Sequence, residues 1–112
     1  MASAQWKYGE VSHVIRESRV IFRDTYCTVR IRPYVGPVPL KQSRLLISIP
    51  RKIGSAPQRN RYKRQLRDIV FRLQKRFPLS GDLLIFVRKP FPPNAYHTLF
   101  AAIEQVLLKP SL

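Results

Sequence analysis

The spacing of apolar positions along this chain changes several times, and each change marks an element. Over residues 9–17, Val11, Val14 and Ile15 recur at helical spacing, which predicts a short amphipathic helix. From Val20 to Arg32 the period drops to two. Cys27, Val29 and Ile31 fall on one face and Thr28, Arg30 and Arg32 on the other, as in a half-buried strand. Pro33, Gly36, Pro37 and Pro39 then break the chain into a loop. Leu45, Leu46, Ile47 and Ile49 predict a further strand over Arg44 to Ile49, ended by Pro50.

Ser55-Ala56-Pro57-Gln58 has the form of a helix start. Ser55 can cap, Gln58 can complete a capping box, and Pro57 loses no hydrogen bond in the first turn. The helix should run to about Phe77, with Tyr62, Leu66, Ile69, Val70, Leu73 and Phe77 as one core stripe. Asp82 to Arg88 predicts another strand, and Lys89 to Asn94 a proline-rich turn. Asn94 can cap a last helix whose Leu99, Ile103, Val106 and Leu107 face inward. The order is helix, two or three strands, long helix, strand, helix. That is a small α+β sandwich over residues 1–112, a single domain.

Charge changes the picture. Twenty-one Lys and Arg stand against 6 Asp and Glu, a formal net charge of +15. A compact domain with that much self-repulsion is destabilised unless a polyanion screens it. Nucleic acid is therefore the leading partner, with an anionic membrane surface second. Ten of the basic residues and one acid, Asp68, lie between Arg51 and Arg76. Arg59, Arg61, Lys63 and Arg64 stand in the early turns of the long helix, where the macrodipole disfavours cations, and none has a Glu at i+3 or i+4. Helix stability alone would not select this; a phosphate backbone satisfies both the guanidinium groups and the helix N-terminus.

On a helical wheel Arg61 and Arg64 project away from the core stripe, with Asn60 and Arg67 on one flank. Arg59 falls close to the stripe, so holding the preceding loop and touching RNA are equally open to it. Asn60 reads better as a sugar or base contact than as a cap, because Ser55 already caps. Phe71 points off the stripe; cover by a neighbouring loop is preferred to base stacking.

Catalytic constellations are absent from the pattern. The acids are scattered singly, His13 and His97 each read as a lone surface histidine, and Gly54 is isolated rather than part of a phosphate loop. No catalytic residue and no protein-held metal is expected. Cys27 reads as a buried strand residue. The longest apolar run, Leu83 to Val87, is too short to span a bilayer, and residues 1–15 contain no apolar signal core. The expectation is a soluble, cytoplasmic protein without a membrane role.

The stretch Arg51-Lys52-Ile53-Gly54-Ser55-Ala56-Pro57-Gln58-Arg59-Asn60-Arg61-Tyr62-Lys63-Arg64-Gln65-Leu66-Arg67 resembles the signature of the bacterial ribonuclease P protein component. That signature has a strand ending in Ser-Lys-Lys, then Ile/Val-Gly-Asn-Ala, then Arg-Asn-Arg followed by Lys-Arg and a further Arg. The resemblance implies a fold whose parallel strands are joined across the long helix by a left-handed crossover, against the usual handedness. It implies a protein that binds a catalytic RNA subunit and assists recognition of precursor tRNA. The 5′ leader is then removed by magnesium bound to the RNA, and no protein partner is required. By the same resemblance Lys52, Arg59, Asn60, Arg61, Lys63, Arg64 and Arg67 would contact the RNA, and Val11, Ile15 and Val29 would fall at a leader cleft. Those cleft positions are usually aromatic and here aliphatic, which favours core packing for them. Pro50 stands where Ser is usual and Ser55 where Asn is usual, and Ala2 to Trp6 carries no charge where a basic extension is common. The alternative is a structural RNA-binding protein of ribosomal type; a membrane-surface or DNA-binding module is weakest, because no DNA-reading motif is visible.

Overall fold

A computed structural model describes residues 9–33, 44–76, 81–92 and 94–108. Helix α1 (Glu10–Glu17) leads into strands β1 (Arg19–Arg23), β2 (Cys27–Pro33) and β3 (Arg44–Ser48). A 3-10 turn (Arg51–Ile53), helix α2 (Ala56–Arg76), strand β4 (Gly81–Val87) and helix α3 (Ala95–Leu108) follow. The strands form one mixed sheet in the order β1-β2-β4-β3. Neighbours β1/β2 and β2/β4 are antiparallel, and β3/β4, joined through α2, are parallel. This is the small α+β fold expected from the pattern. Gly36, Pro37, Pro39, Phe77 and the side chains of Val106 and Leu107 lie outside the described residues.

The period-two stretch from Val20 to Arg32 is a hairpin, which makes the strands before the long helix three. Its turn contains neither Gly nor Pro. Instead, one Asp24 carboxylate oxygen accepts the backbone N–H groups of Tyr26 and Cys27, both at 2.8 Å. An Asx turn of this kind reverses the chain while leaving the alternation of side chains nearly unbroken.

Period then decides which side of the sheet is buried under which helix. Cys27 and Val29 of β2, Leu45 of β3, and Leu83, Ile85 and Val87 of β4 form one core with the α2 stripe Tyr62, Leu66, Ile69, Val70 and Leu73. Ala95, Leu99 and Ile103 of α3 close it. Phe91 joins this core from the proline-rich turn, where no periodicity marks it. Its ring centroid is 4.7 Å from that of Tyr62 and 6.2 Å from that of Tyr26. Cys27 is fully buried here, and burial, reinforced by the Asp24 carboxylate, pushes its thiol up to about 12.

Strand β4 is covered on its other face too. Leu84 and Val14 are both fully buried yet outside the main core, because α1 lies across that face. Charge fixes the helix there. The sheet register sets Arg32, Asp82 and Arg44 side by side. Arg44 Nε donates to Asp82 Oδ1 at 2.7 Å, and Arg32 Nη1 lies 3.3 Å from Asp82 Oδ2. From α1, Glu10 accepts from Arg44 Nη1 at 2.8 Å and Glu17 lies 2.8 Å from Arg32 Nη2. Arg30 Nε donates to Ser18 Oγ at 2.7 Å, just beyond the end of α1. Acids that look scattered in sequence thus each meet an arginine on the face that α1 crosses. His13 is not alone either: its Nε2 lies 3.1 Å from Glu17 Oε1, one turn further along α1.

Candidate nucleic-acid interface

The start of α2 is built as its residue types require. Gln58 Oε1 accepts the backbone N–H of Ser55 at 2.9 Å, and Ser55 Oγ accepts the N–H of Gln58 at 3.4 Å. This reciprocal capping box satisfies donors that the first turn leaves over. Gly54 makes it possible. A Cβ there would lie 2.4 Å from Gln58 Oε1, so any side chain would push the capping amide aside. Arg59, half-buried, donates from Nε to the Gly54 carbonyl at 3.2 Å. This is the loop-holding contact open to it from the sequence.

With the core stripe on one side, Asn60, Arg61, Arg64 and Arg67 are exposed, Lys63 is half-buried, and Arg51 and Lys52 are exposed on the adjoining 3-10 turn. Arg61 lies over the buried ring of Tyr62, 5.4 Å from its centroid. The helix begins at Ala56, so only Arg59 stands in the first turn, where the dipole acts most strongly.

The electrostatics follow from where the 6 acids go. Glu10, Glu17 and Asp82 are committed to Arg44 and Arg32, and Asp24 to the hairpin turn. Glu104 of α3 pairs with Arg76 at the end of α2. Asp68, the acid nearest the basic run, lies 3.1 Å from Arg72 Nε and accepts the Tyr96 hydroxyl of α3. That hydroxyl bond and the neighbouring Arg72 hold the Asp68 carboxyl below its usual range. No acid is therefore left to face Lys52, Arg61, Lys63, Arg64 or Arg67. The surface is cationic and uncompensated, which is what a phosphate backbone binds.

The three cleft positions do not come together. Val11 and Ile15 are half-buried on α1, but Val29 lies on the opposite face of β2 and is fully buried in the core shared with α2 and α3. Strand alternation is the reason: Thr28 and Arg30, not Val29, share the face that α1 crosses. Beyond α1 that face continues through Thr28, Phe86 and Ser48, which the register sets in one row and leaves half-buried. Phe86 is the aromatic residue of that row. The apolar run Leu83 to Val87 concealed it, because a strand buried on both faces shows no alternation. Phe71 is also placed differently from the sequence expectation: it is 39% exposed rather than covered by a loop.

A family model described as Ribonuclease P matches residues 7–111. The ribonuclease P protein component of Brevibacillus brevis is 42% identical over 62 residues, which are 55% of this chain and 46% of that protein. That of Staphylococcus epidermidis is 34% identical over 68 residues, 61% of this chain and 58% of the relative. The matched stretch thus spans about half the length of these curated relatives. The solved RNase P protein of Staphylococcus aureus superimposes with a TM-score of 0.73 at 22% identity, covering 96% of this chain and 94% of that one. The RNase P protein of Thermotoga maritima gives 0.64 at 22% identity, covering 96% and 93%. At that identity the superpositions speak for the fold.

Proposed function

The chain belongs to the ribonuclease P protein family, and from that premise we propose that it is the protein subunit of ribonuclease P, binding a catalytic RNA and assisting its recognition of precursor tRNA. The observation that carries this reading is the uncompensated basic surface of α2, whose every neighbouring acid is engaged elsewhere. In this role Lys52, Arg59, Asn60, Arg61, Lys63, Arg64 and Arg67 contact the RNA, Arg59 also holding the loop through the Gly54 carbonyl. The half-open sheet face with Thr28, Phe86 and Ser48 takes the 5′ leader, α1 forming one wall.

The chemistry of strand cleavage would come from magnesium held by the RNA. The acids of α1 and β4 do not suit such an ion: Arg44 takes up an oxygen of Glu10, Arg32 one of Glu17, and both arginines engage Asp82. Among the described residues no group of three acid, His or Cys side chains could hold a metal. The chain's part is to bind and orient. No described helix is long and apolar enough to cross a membrane, and the proposed place of work is the cytoplasm, with the RNA and no further protein.

Reconstitution tests the reading. Added to a bacterial ribonuclease P RNA at low magnesium, the protein should restore correct 5′ cleavage of precursor tRNA. Tight RNA binding without stimulation would favour a structural RNA-binding role instead. Cleavage by the protein alone would overturn the division of labour.

A further inference from the structure

Phe71 lies on the side of α2 opposite the core, on one stripe with Asn60, Arg64, Arg67 and Lys75, all exposed. A single exposed apolar residue needs no explanation by itself. This one has two unusual features. It sits in the middle of a cationic stripe that no acid neutralises, so the surroundings suit neither an apolar protein partner nor burial in a core. And Lys75, one turn on, holds its ammonium over one face of the ring, 4.5 Å from the centroid. Ring and cation are thus presented together: a π-surface with positive charge on one face, flanked one and two turns back by Arg67 and Arg64, so that a stacked group would take the other face. A ligand that complements all of these is planar, aromatic and attached to phosphate.

We propose that Phe71 is a stacking platform for an unpaired nucleobase of the RNA partner, extending the interface from phosphate contact to base contact. This rests on the reading of α2 as the RNA-binding face and adds to it a contact that is not electrostatic. The two are separable because stacking and phosphate neutralisation answer differently to salt. Removing a cation lowers the slope of log affinity against log salt; removing a ring leaves the slope alone.

The test uses the full chain and a bacterial ribonuclease P RNA transcript. Phe71→Ala should weaken binding about 5- to 150-fold, the range for one stacked base, with an unchanged salt slope. Phe71→Leu, which keeps apolar bulk without a π-face, should weaken it likewise, while Phe71→Tyr should bind as the parent does. In a Trp6→Phe background, Phe71→Trp should show fluorescence quenching on RNA addition, and melting curves of all variants should superimpose because the site is exposed. Parental affinity for Phe71→Ala and Phe71→Leu, alongside weakened binding by Arg64→Ala, would overturn the stacking proposal and leave the RNA-binding face standing. Failure of the parent to bind RNA would remove both. Phe71-dependent binding to phosphatidylserine vesicles, with RNA affinity unaffected, would assign the ring to a membrane surface and also overturn it.

Discussion

Replacing Arg61 and Arg64 together by Ala separates binding from stability, and its energetics can be worked from the structure. Both side chains are exposed, and Arg64 makes no ion pair with a described residue. What is lost in the free protein is the contact of Arg61 with the Tyr62 ring, worth at most about 0.5–1 kcal/mol at such an exposed site. Against this stand relief of like-charge pairs such as Arg64 with Arg67, at about 0.2–0.5 kcal/mol each, and the slightly better helix propensity of Ala. The dipole term is small, since both positions lie beyond the first turn. The sum is within about 1 kcal/mol of zero, so the melting temperature should move by no more than about 4–8 °C in either direction. RNA binding should respond quite differently. Two lost charge-assisted contacts should cost about 1–3 kcal/mol in total and lower the salt slope by almost two. Leu66→Ala supplies the converse, since Leu66 is fully buried and its truncation should cost about 2–5 kcal/mol of folding stability. Thermal melts and RNA titrations at several salt concentrations read both quantities. If the double variant unfolds early but binds with unchanged affinity and slope once folded, these arginines serve the fold and the assignment of the surface is wrong.

Gly54→Ala should cost about 1 kcal/mol by displacing the Gln58 amide from the capping box. In a Gln58→Ala background the same change should cost almost nothing, and additive denaturation energies would refute the capping account. Asp82→Asn should cost about 3 kcal/mol, the low end for breaking a buried ion pair, because Arg44 and Arg32 lose their shared carboxylate; hydrogen exchange should show α1 opening first, and uniform destabilisation would count against its charge-fixed docking. Tyr96→Phe removes the hydroxyl that holds the Asp68 carboxyl below its usual range. The stability gap to the parent should be full above about pH 4 and close as pH falls through the lowered Asp68 pKa; a gap persisting in strong acid would contradict this. Cys27, with its thiol raised to about 12, should resist alkylation at pH 8 until denaturant is added, and rapid labelling of native protein would show the core to be looser than described.

Local pattern was enough for most of the architecture. The α2 stripe repeats at helical spacing over its whole buried face, Ser55 and Gln58 stand at the separation a capping box needs, and β2 alternates cleanly, so neighbours in sequence carry the information for these elements. The basic surface of α2 was legible for the same reason: a residue on a helix opposite its core stripe is exposed whatever packs beneath. What sequence distance concealed are contacts made between elements. The hairpin turn rests on a single Asp24 carboxylate, Phe91 enters the core from a turn without periodicity, and Phe86 hides in a strand buried on both faces. The acids that pair with Arg32 and Arg44 come from α1 and β4, and only the β2-β4-β3 register brings Asp82 between those arginines. The same register sends Val29 into the core with α2 and α3 and away from α1, because one residue along a strand is one face of the sheet. That the basic surface stays uncompensated was likewise a tertiary outcome. Asp68 stands one turn from Arg64 in sequence, and it is the docking of α3, through Tyr96, that draws its charge to the other side.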